Sequence, residues 1–170
     1  GHLFGTDALG RDILSRIIWG TRFSLSGALL AVVLAALIGC TLGLIAGYYG
    51  CVLEIVGEWL SNILQALPGI IVLLAAATVL GPNMYAAMAI FGVLLSPAFY
   101  RLVYVAVRAV RNELYVDAAR VSGLGDSKII MRHVLGVVRA PIIIQAGIVA
   151  AIAIAIQAGL QFIGLGDMAI

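Results

Sequence analysis

The sequence predicts an all-α, polytopic membrane helix bundle. Composition is the first reason: of 170 residues, 64% are hydrophobic and 11% are charged, with mean hydropathy +1.17, whereas a soluble domain is about half apolar and a quarter charged. Long charge-free runs are the second, because a bilayer crossing needs about 20 mostly apolar residues. The third is the placement of the basic residues, since seven of the ten fall between Arg101 and Arg139.

Residues 1–22 read as a leading segment outside the membrane core. Asp12 and Arg16 are spaced i, i+4, and Ile13, Leu14, Ile17, Ile18 and Trp19 can immerse one side of a helix in the interface, with Trp19 at headgroup depth. The first span, about 23–47, follows from the charge-free run Phe23 to Gly47. Within it Gly39, Gly43 and Gly47 form a tandem GxxxG that lets a neighbouring backbone approach closely, in this chain or in another subunit. Trp59 to Tyr100 carries no charge and is too long for one crossing. The turn-forming Gly81-Pro82-Asn83 divides it into spans of about 57–80 and 84–108 joined by a short hairpin. Pro68 and Pro97 fall inside these helices and are expected to kink rather than end them. Ala140 to Gly166 supplies a fourth span, about 140–165.

Few polar groups are expected in the spans. No acid or base is placed within them, which argues against a proton or metal relay. Gln157 and Gln161 lie on one helical face, and interhelical hydrogen bonds that fix packing are favoured over a pathway role. Cys40 and Cys51 lack metal-ligand spacing with His2 or His133 and read as small buried apolar residues. No metal site is expected. The single lysine, Lys128, lies between Ser127 and Ile129, so the Gly-Lys-Ser/Thr of a phosphate-binding loop is absent and no catalytic residue is assigned.

Orientation follows from the basic loop, because Lys and Arg accumulate on the cytoplasmic side. Residues 109–139 are therefore placed inside, which puts the Gly81-Pro82-Asn83 hairpin and both chain ends outside. Arg11, Arg16 and Arg22 count against this, but the long loop outweighs them. The chain starts at Gly1 without methionine and stops at Ile170 just after a span has emerged, so a further span is expected on each side.

If Glu113 to Ser122 is helical, Glu113, Asp117 and Arg120 form a charged stripe beside an apolar one of Leu114, Ala118 and Val121. The small Ala118 and Ala119 permit close approach of another surface. Gly123 is placed as a helix-stop glycine at positive φ, and Asp126 or Ser127 as the cap of a second helix. In that helix Ile130, Met131, Val134 and Leu135 share one side, with Lys128 and Arg132 on another. Periodicity alone favours a basic loop lying on anionic headgroups.

The residues themselves add to this reading. Tyr115 to Gly123, YVDAARVSG, resembles the cytoplasmic EAA signature of bacterial ABC importer permeases, matching at Asp117, Ala118, Ala119 and Gly123. The leading HLFGTDALGRD is similar to the extracytoplasmic HxLGTDxxGRD of the dipeptide, oligopeptide and nickel branch, through Gly5, Thr6, Asp7, Gly10, Arg11 and Asp12. LGLIAGYYG, the Leu67-Pro68 pair, FYRLVYVAVRAVRNELYVDAAR and the closing QFIGLG follow in family order. Departures are Asp117 for the usual Glu, Gly136 for a Pro after Leu135, and Gln157 for a Glu. With Gly136, the second short helix is expected to run smoothly into the following span.

The resemblance implies a type I ABC importer permease fold and a fragment of a usually six-span chain in the bacterial plasma membrane. It implies that Tyr115, Asp117, Ala118, Ala119, Arg120, Gly123, Lys128 and Arg132 couple the spans to a cytoplasmic ATPase. It also offers Asp7, Arg11 and Asp12 as an outer gate or a contact for a binding protein, although interfacial anchoring is the favoured role of that segment. The expected partners are ATP-binding cassette subunits, a second and different permease chain, an extracytoplasmic substrate-binding protein and the lipid bilayer. No nucleic acid and no cofactor is expected. Peptides, glutathione, haem or nickel are the implied cargoes, and a secondary transporter or a non-transporting scaffold are the alternatives.

Overall fold

A computed structural model describes residues 4–7, 10–81 and 83–163, apart from the Arg132 side chain. Regular structure among these residues is helical, save one antiparallel bridge between Thr6 and Asp12. The order is α1 (Ile13–Tyr49), α2 (Cys51–Ala66), α3 (Gly69–Leu80), α4 (Met84–Arg111), α5 (Leu114–Val121), α6 (Asp126–Ile129), a π-helical turn (Ile130–Val134) and α7 (Leu135–Phe162). Pro82 of the expected hairpin and Gly164 to Gly166 of the last apolar run lie outside the described residues.

Helix α1 is set off by Asp12, whose carboxylate accepts from the Ser15 N–H at 3.0 Å and satisfies one of the open donors of the first turn. Its 37 residues reach about 55 Å, well beyond a hydrocarbon core of about 30 Å. The amphipathic Ile13 to Trp19 stretch is thus one rigid piece with the apolar run that follows. Gly50, at φ 67°, closes α1, and Cys51 opens α2 at φ 54°, an uncommon conformation for a residue with a Cβ. Cys51 is exposed rather than buried, because it sits at that turn, while Cys40 is half-buried.

Pro68 ends a helix instead of kinking one. Leu67 is extended at φ −82°, ψ 123°, as steric conflict with the proline ring favours, and α2 and α3 meet at a bend of 77°. The Pro68 carbonyl then accepts from Ile71 at 2.9 Å and Val72 at 3.2 Å, starting α3 afresh. Pro97, by contrast, stays inside a continuous α4, and Pro141 inside α7. Asn83 caps α4 by accepting from the Ala86 N–H at 3.1 Å. Among the described residues, three helices are each long and apolar enough to cross a membrane, and the bent α2–α3 pair makes a fourth candidate.

The core is the seam between α1 and α4. Ala31, Ala35, Gly39, Gly43 and Gly47 stack at i, i+4 along α1 and leave a channel that α4 fills with Ser96, Phe99, Tyr100, Val103 and Val107. A Cβ at Gly43 would lie 2.8 Å from the Tyr100 carbonyl oxygen, and one at Gly47 would lie 2.9 Å from Val107 Cβ. The glycine ladder therefore packs within the chain. Gly92 reciprocates from α4, where a Cβ would stand 2.7 Å from the Ala31 carbonyl. Helix α7 closes the bundle through Val149, Ala153 and Leu160. Leu25, Leu29, Leu37, Ile143, Ile144 and Ile148 remain exposed on the outside, as lipid-facing side chains are.

Candidate coupling site

Helix α5 rests on the end of the bundle. Val116 and Ala119 are buried against Tyr48, Val107 and Val110, and this fixes which face points away. Leu114, 84% exposed, and Val121, 90% exposed, stand outward with Asp117 and Ala118. Asp117 and Arg120 face each other at 3.6 Å, an exposed pair that contributes only a few tenths of a kcal/mol. Apolar side chains thus project into the open beside a charged pair.

The helix stops in a Schellman turn. Gly123, at φ 82°, donates to the Arg120 carbonyl at 2.9 Å, and Leu124 donates to Ala119 at 3.1 Å while its side chain packs on the buried cluster. Gly125 then occupies the N-cap of α6 without a side-chain bond, so neither Asp126 nor Ser127 caps the helix. Asp126 is used elsewhere: its Oδ1 accepts from the Tyr48 hydroxyl at 2.6 Å.

A π turn over Ile130–Val134 follows, and α7 continues directly from it. The smooth passage through Gly136 is as expected, but the turn changes which side chains point inward. Ile129, Val134 and Val138 are buried, whereas Met131 is 68% exposed and does not share their face. One wider turn inserts an extra residue per repeat, so a regular helical spacing mispredicts the stripe. Tyr115 lies against His133, ring centres 6.1 Å apart, and ties α5 to this turn.

Tyr48, at the last turn of α1, is the node of the assembly. It is buried among Val107, Val116 and Val134, bonds Asp126 at its hydroxyl, and lies under the Arg120 guanidinium at 5.5 Å. Tyr48 foremost, with Asp117 and Asp126 adding to it, raises the Arg120 pKa above its already high value. The cation is therefore permanent. Sequence reasoning missed Tyr48, although its place in GYYG at the end of a span was visible.

Residues 39–170 match the family described as binding-protein-dependent transport system inner membrane component. The chain belongs to this family. It is 40% identical over 168 residues to the dipeptide transport system permease protein of Alkalihalophilus pseudofirmus, covering 99% of this chain and 55% of that one. The glutathione transport system permease protein of Pectobacterium atrosepticum is 37% identical over 168 residues, 97% of this chain and 55% of that protein. The dipeptide permease protein of Haemophilus influenzae is 36% identical over 165 residues, at 97% and 56%. The chain spans about half the length of the curated relatives it matches. As a member of the family with helices of membrane-crossing length, it is a multi-pass protein of the bacterial plasma membrane.

Elsewhere in the chain the singled-out residues are dispersed. Asp7 accepts from Arg11 Nε at 3.1 Å and Arg16 Nη1 at 2.6 Å, and Asp12 is the α1 cap, so the leading segment is folded on itself. Lys128 is exposed on α6, and Arg132 stands in the π turn with its side chain outside those described. Gln157 is 1% exposed and donates to the Phe23 carbonyl at 3.3 Å, joining α7 to α1, while Gln161 is exposed near the helix end. The two glutamines lie one turn apart on α7, the first buried and the second exposed.

Helices α2 and α4 carry charge beyond the charge-free runs. Glu54 and Glu58 lie on α2, and Arg101 and Arg108 on α4. Glu54 Oε1 accepts from the Tyr104 hydroxyl and from Arg108 Nη1 at 2.6 Å, and the Tyr104 hydroxyl also meets Arg108. The helices extend past the charge-free runs from which the spans were read, and pairing lowers the cost of carrying charge there.

Proposed function

We propose that this chain is part of the permease of an ATP-driven importer that moves short peptides, or a related small solute such as glutathione, nickel or haem, into the cell. Residues 1–170 form one transmembrane unit in this reading, with the 109–139 loop in the cytoplasm and the leading segment outside. The observation that carries it is the outward face of α5. Leu114, Ala118 and Val121 are left without a partner beside Asp117, on a helix whose other face is anchored in the bundle.

A cytoplasmic ATPase subunit fits that face. Closure of an ATPase dimer on ATP would move α5 and α6 and, through Tyr48 and the buried valines, the ends of α1, α4 and α7. This shifts the population between inward-open and outward-open arrangements. ATP chemistry resides in the partner, and this chain has no catalytic role. A second permease chain completes the pathway, an extracytoplasmic binding protein delivers the solute, and Asp7, Arg11 and Asp12 stand at the outer gate or meet that protein. The names of the peptide and glutathione permeases to which the chain is similar support the cargo class.

The test is substitution at the joint. Gly123 holds a left-handed conformation that costs other residues roughly 1–2 kcal/mol, and Asp117→Lys reverses charge on the exposed face. Gly123→Arg and Asp117→Lys should each reach the membrane yet lose most uptake per ATP hydrolysed in proteoliposomes. Normal coupled uptake by both would overturn the assignment.

A further inference from the structure

Between α2 and α4 lies an open hollow of about 370 Å³ lined by Glu58, Ser61, Asn62, Tyr100, Arg101 and Tyr104. We propose that it is a recognition site for the charged termini of a short peptide, with Arg101 receiving the carboxylate and Glu58 the ammonium group. The inference rests on the peptide-importer reading and deepens it by naming the residues that meet the cargo.

Depth is the first argument. From Arg101 to the end of α4 at Arg111 is about 15 Å, and from Cys51 to Glu58 along α2 about 10 Å. Both groups therefore stand about two to three turns in from those helix ends and directly flank the charge-free run Trp59 to Tyr100, and ionisable side chains set against apolar spans mark pathways more often than packing. Size is the second, since the hollow falls within the range of about 300–1,000 Å³ typical of small-molecule sites.

Charge arrangement decides the ligand class. One turn away Glu54 and Arg108 pair directly at 2.6 Å with the Tyr104 hydroxyl beside them, but Glu58 and Arg101 form no ion pair within 4.0 Å. Arg101 is instead steadied by Asn62 Oδ1 at 2.9 Å through one nitrogen, which orients the guanidinium and leaves further donors for a carboxylate. Tyr104, stacked on the buried Tyr100 with ring centres 5.8 Å apart, borders the same hollow as the two charged groups. A positive group and a negative group lining one hollow without pairing complement a zwitterion, whereas an apolar or singly charged solute would leave one of them unmatched. The Glu54–Tyr104–Arg108 cluster borders a second hollow of about 250 Å³ lined by Gly50, Cys51, Arg111 and Asn112.

Equilibrium binding of a radiolabelled dipeptide to the assembled permease–ATPase complex, without the binding protein, tests the site. N-acetylated and C-amidated dipeptides serve as competitors. The wild-type complex should bind the free dipeptide in preference to both blocked forms. Arg101→Gln should weaken binding about tenfold or more, the loss of one charge-assisted hydrogen bond, and should abolish discrimination against the amide alone. Glu58→Gln should abolish discrimination against the acetylated form alone, and Arg101→Lys should keep the preference for a free carboxylate. If the complex takes up peptide with its binding protein but binds no dipeptide without it, or if both variants bind all forms like the wild type or weaken all forms equally, the site is wrong. If the complex takes up no peptide even with its binding protein, the importer reading falls, and the site falls with it.

Discussion

Tyr48 shows how one side chain can join distant parts of the chain. Its ring is part of the apolar cluster beneath α5, and its hydroxyl is the one hydrogen bond described between α1 and α6. Removing only the hydroxyl leaves the packing and takes away a bond to a carboxylate, of about 1.5–3 kcal/mol. Tyr48→Phe should therefore keep the thermal stability of the detergent-solubilised complex within a few degrees while lowering uptake per ATP several-fold. Tyr48→Ala should cost about 3–5 kcal/mol through the cavity it leaves and lower the unfolding temperature. Equal effects of the two variants on coupling and on stability would reduce Tyr48 to a packing residue. Gly123 at the same scale was legible from its neighbours, since a helix-stop glycine needs only local geometry. Tyr48 was not, because its partner Asp126 is 78 residues away.

Elements divide in the same way. The start of α1 at Asp12 and the stop of α5 at Gly123 are set by capping groups within a turn, and both could be read from the chain. The break at Pro68 could not be separated from the unbroken helix at Pro97. Proline removes one donor in either case, and the outcome depends on packing. Pro97 is buried in the seam against α1, whereas Leu67 and Pro68 are exposed and free to bend. That seam is also where substitution should be least tolerated. Gly43→Val would push a side chain into the Tyr100 carbonyl and Val103, with an overpacking cost of about 1–3 kcal/mol or more. Gly147→Ala on α7 meets nothing within 4 Å and should add about 0.5–1 kcal/mol. Thermal unfolding in detergent should move in opposite directions for the two, and a neutral Gly43→Val would show that α1 and α4 are not held by close approach.

For the whole molecule, the membrane class was legible because hydropathy sums over the chain and needs no fold. Orientation is a sum of the same kind, over the basic residues of residues 109–139. Ser127→Cys should be labelled by a membrane-impermeant maleimide from the cytoplasmic face alone, and Tyr85→Cys from the outer face alone, both in a Cys40→Ala, Cys51→Ser background. The reverse pattern would invert the chain and overturn the proposed cytoplasmic docking of α5.

Composition, periodicity and local motifs by themselves determined that this is a helical membrane protein, where its apolar runs lie, and that a charged loop carries an Asp-Ala-Ala and glycine pattern. These are short-range or additive properties of a chain. Only the tertiary structure decided which face of α5 stays open, that Asp126 serves Tyr48 rather than its own helix, and that Glu58 and Arg101 share a hollow without neutralising each other. Each of those depends on groups brought together from distant helices, where a π turn or a 77° bend resets the register that a regular period assumes.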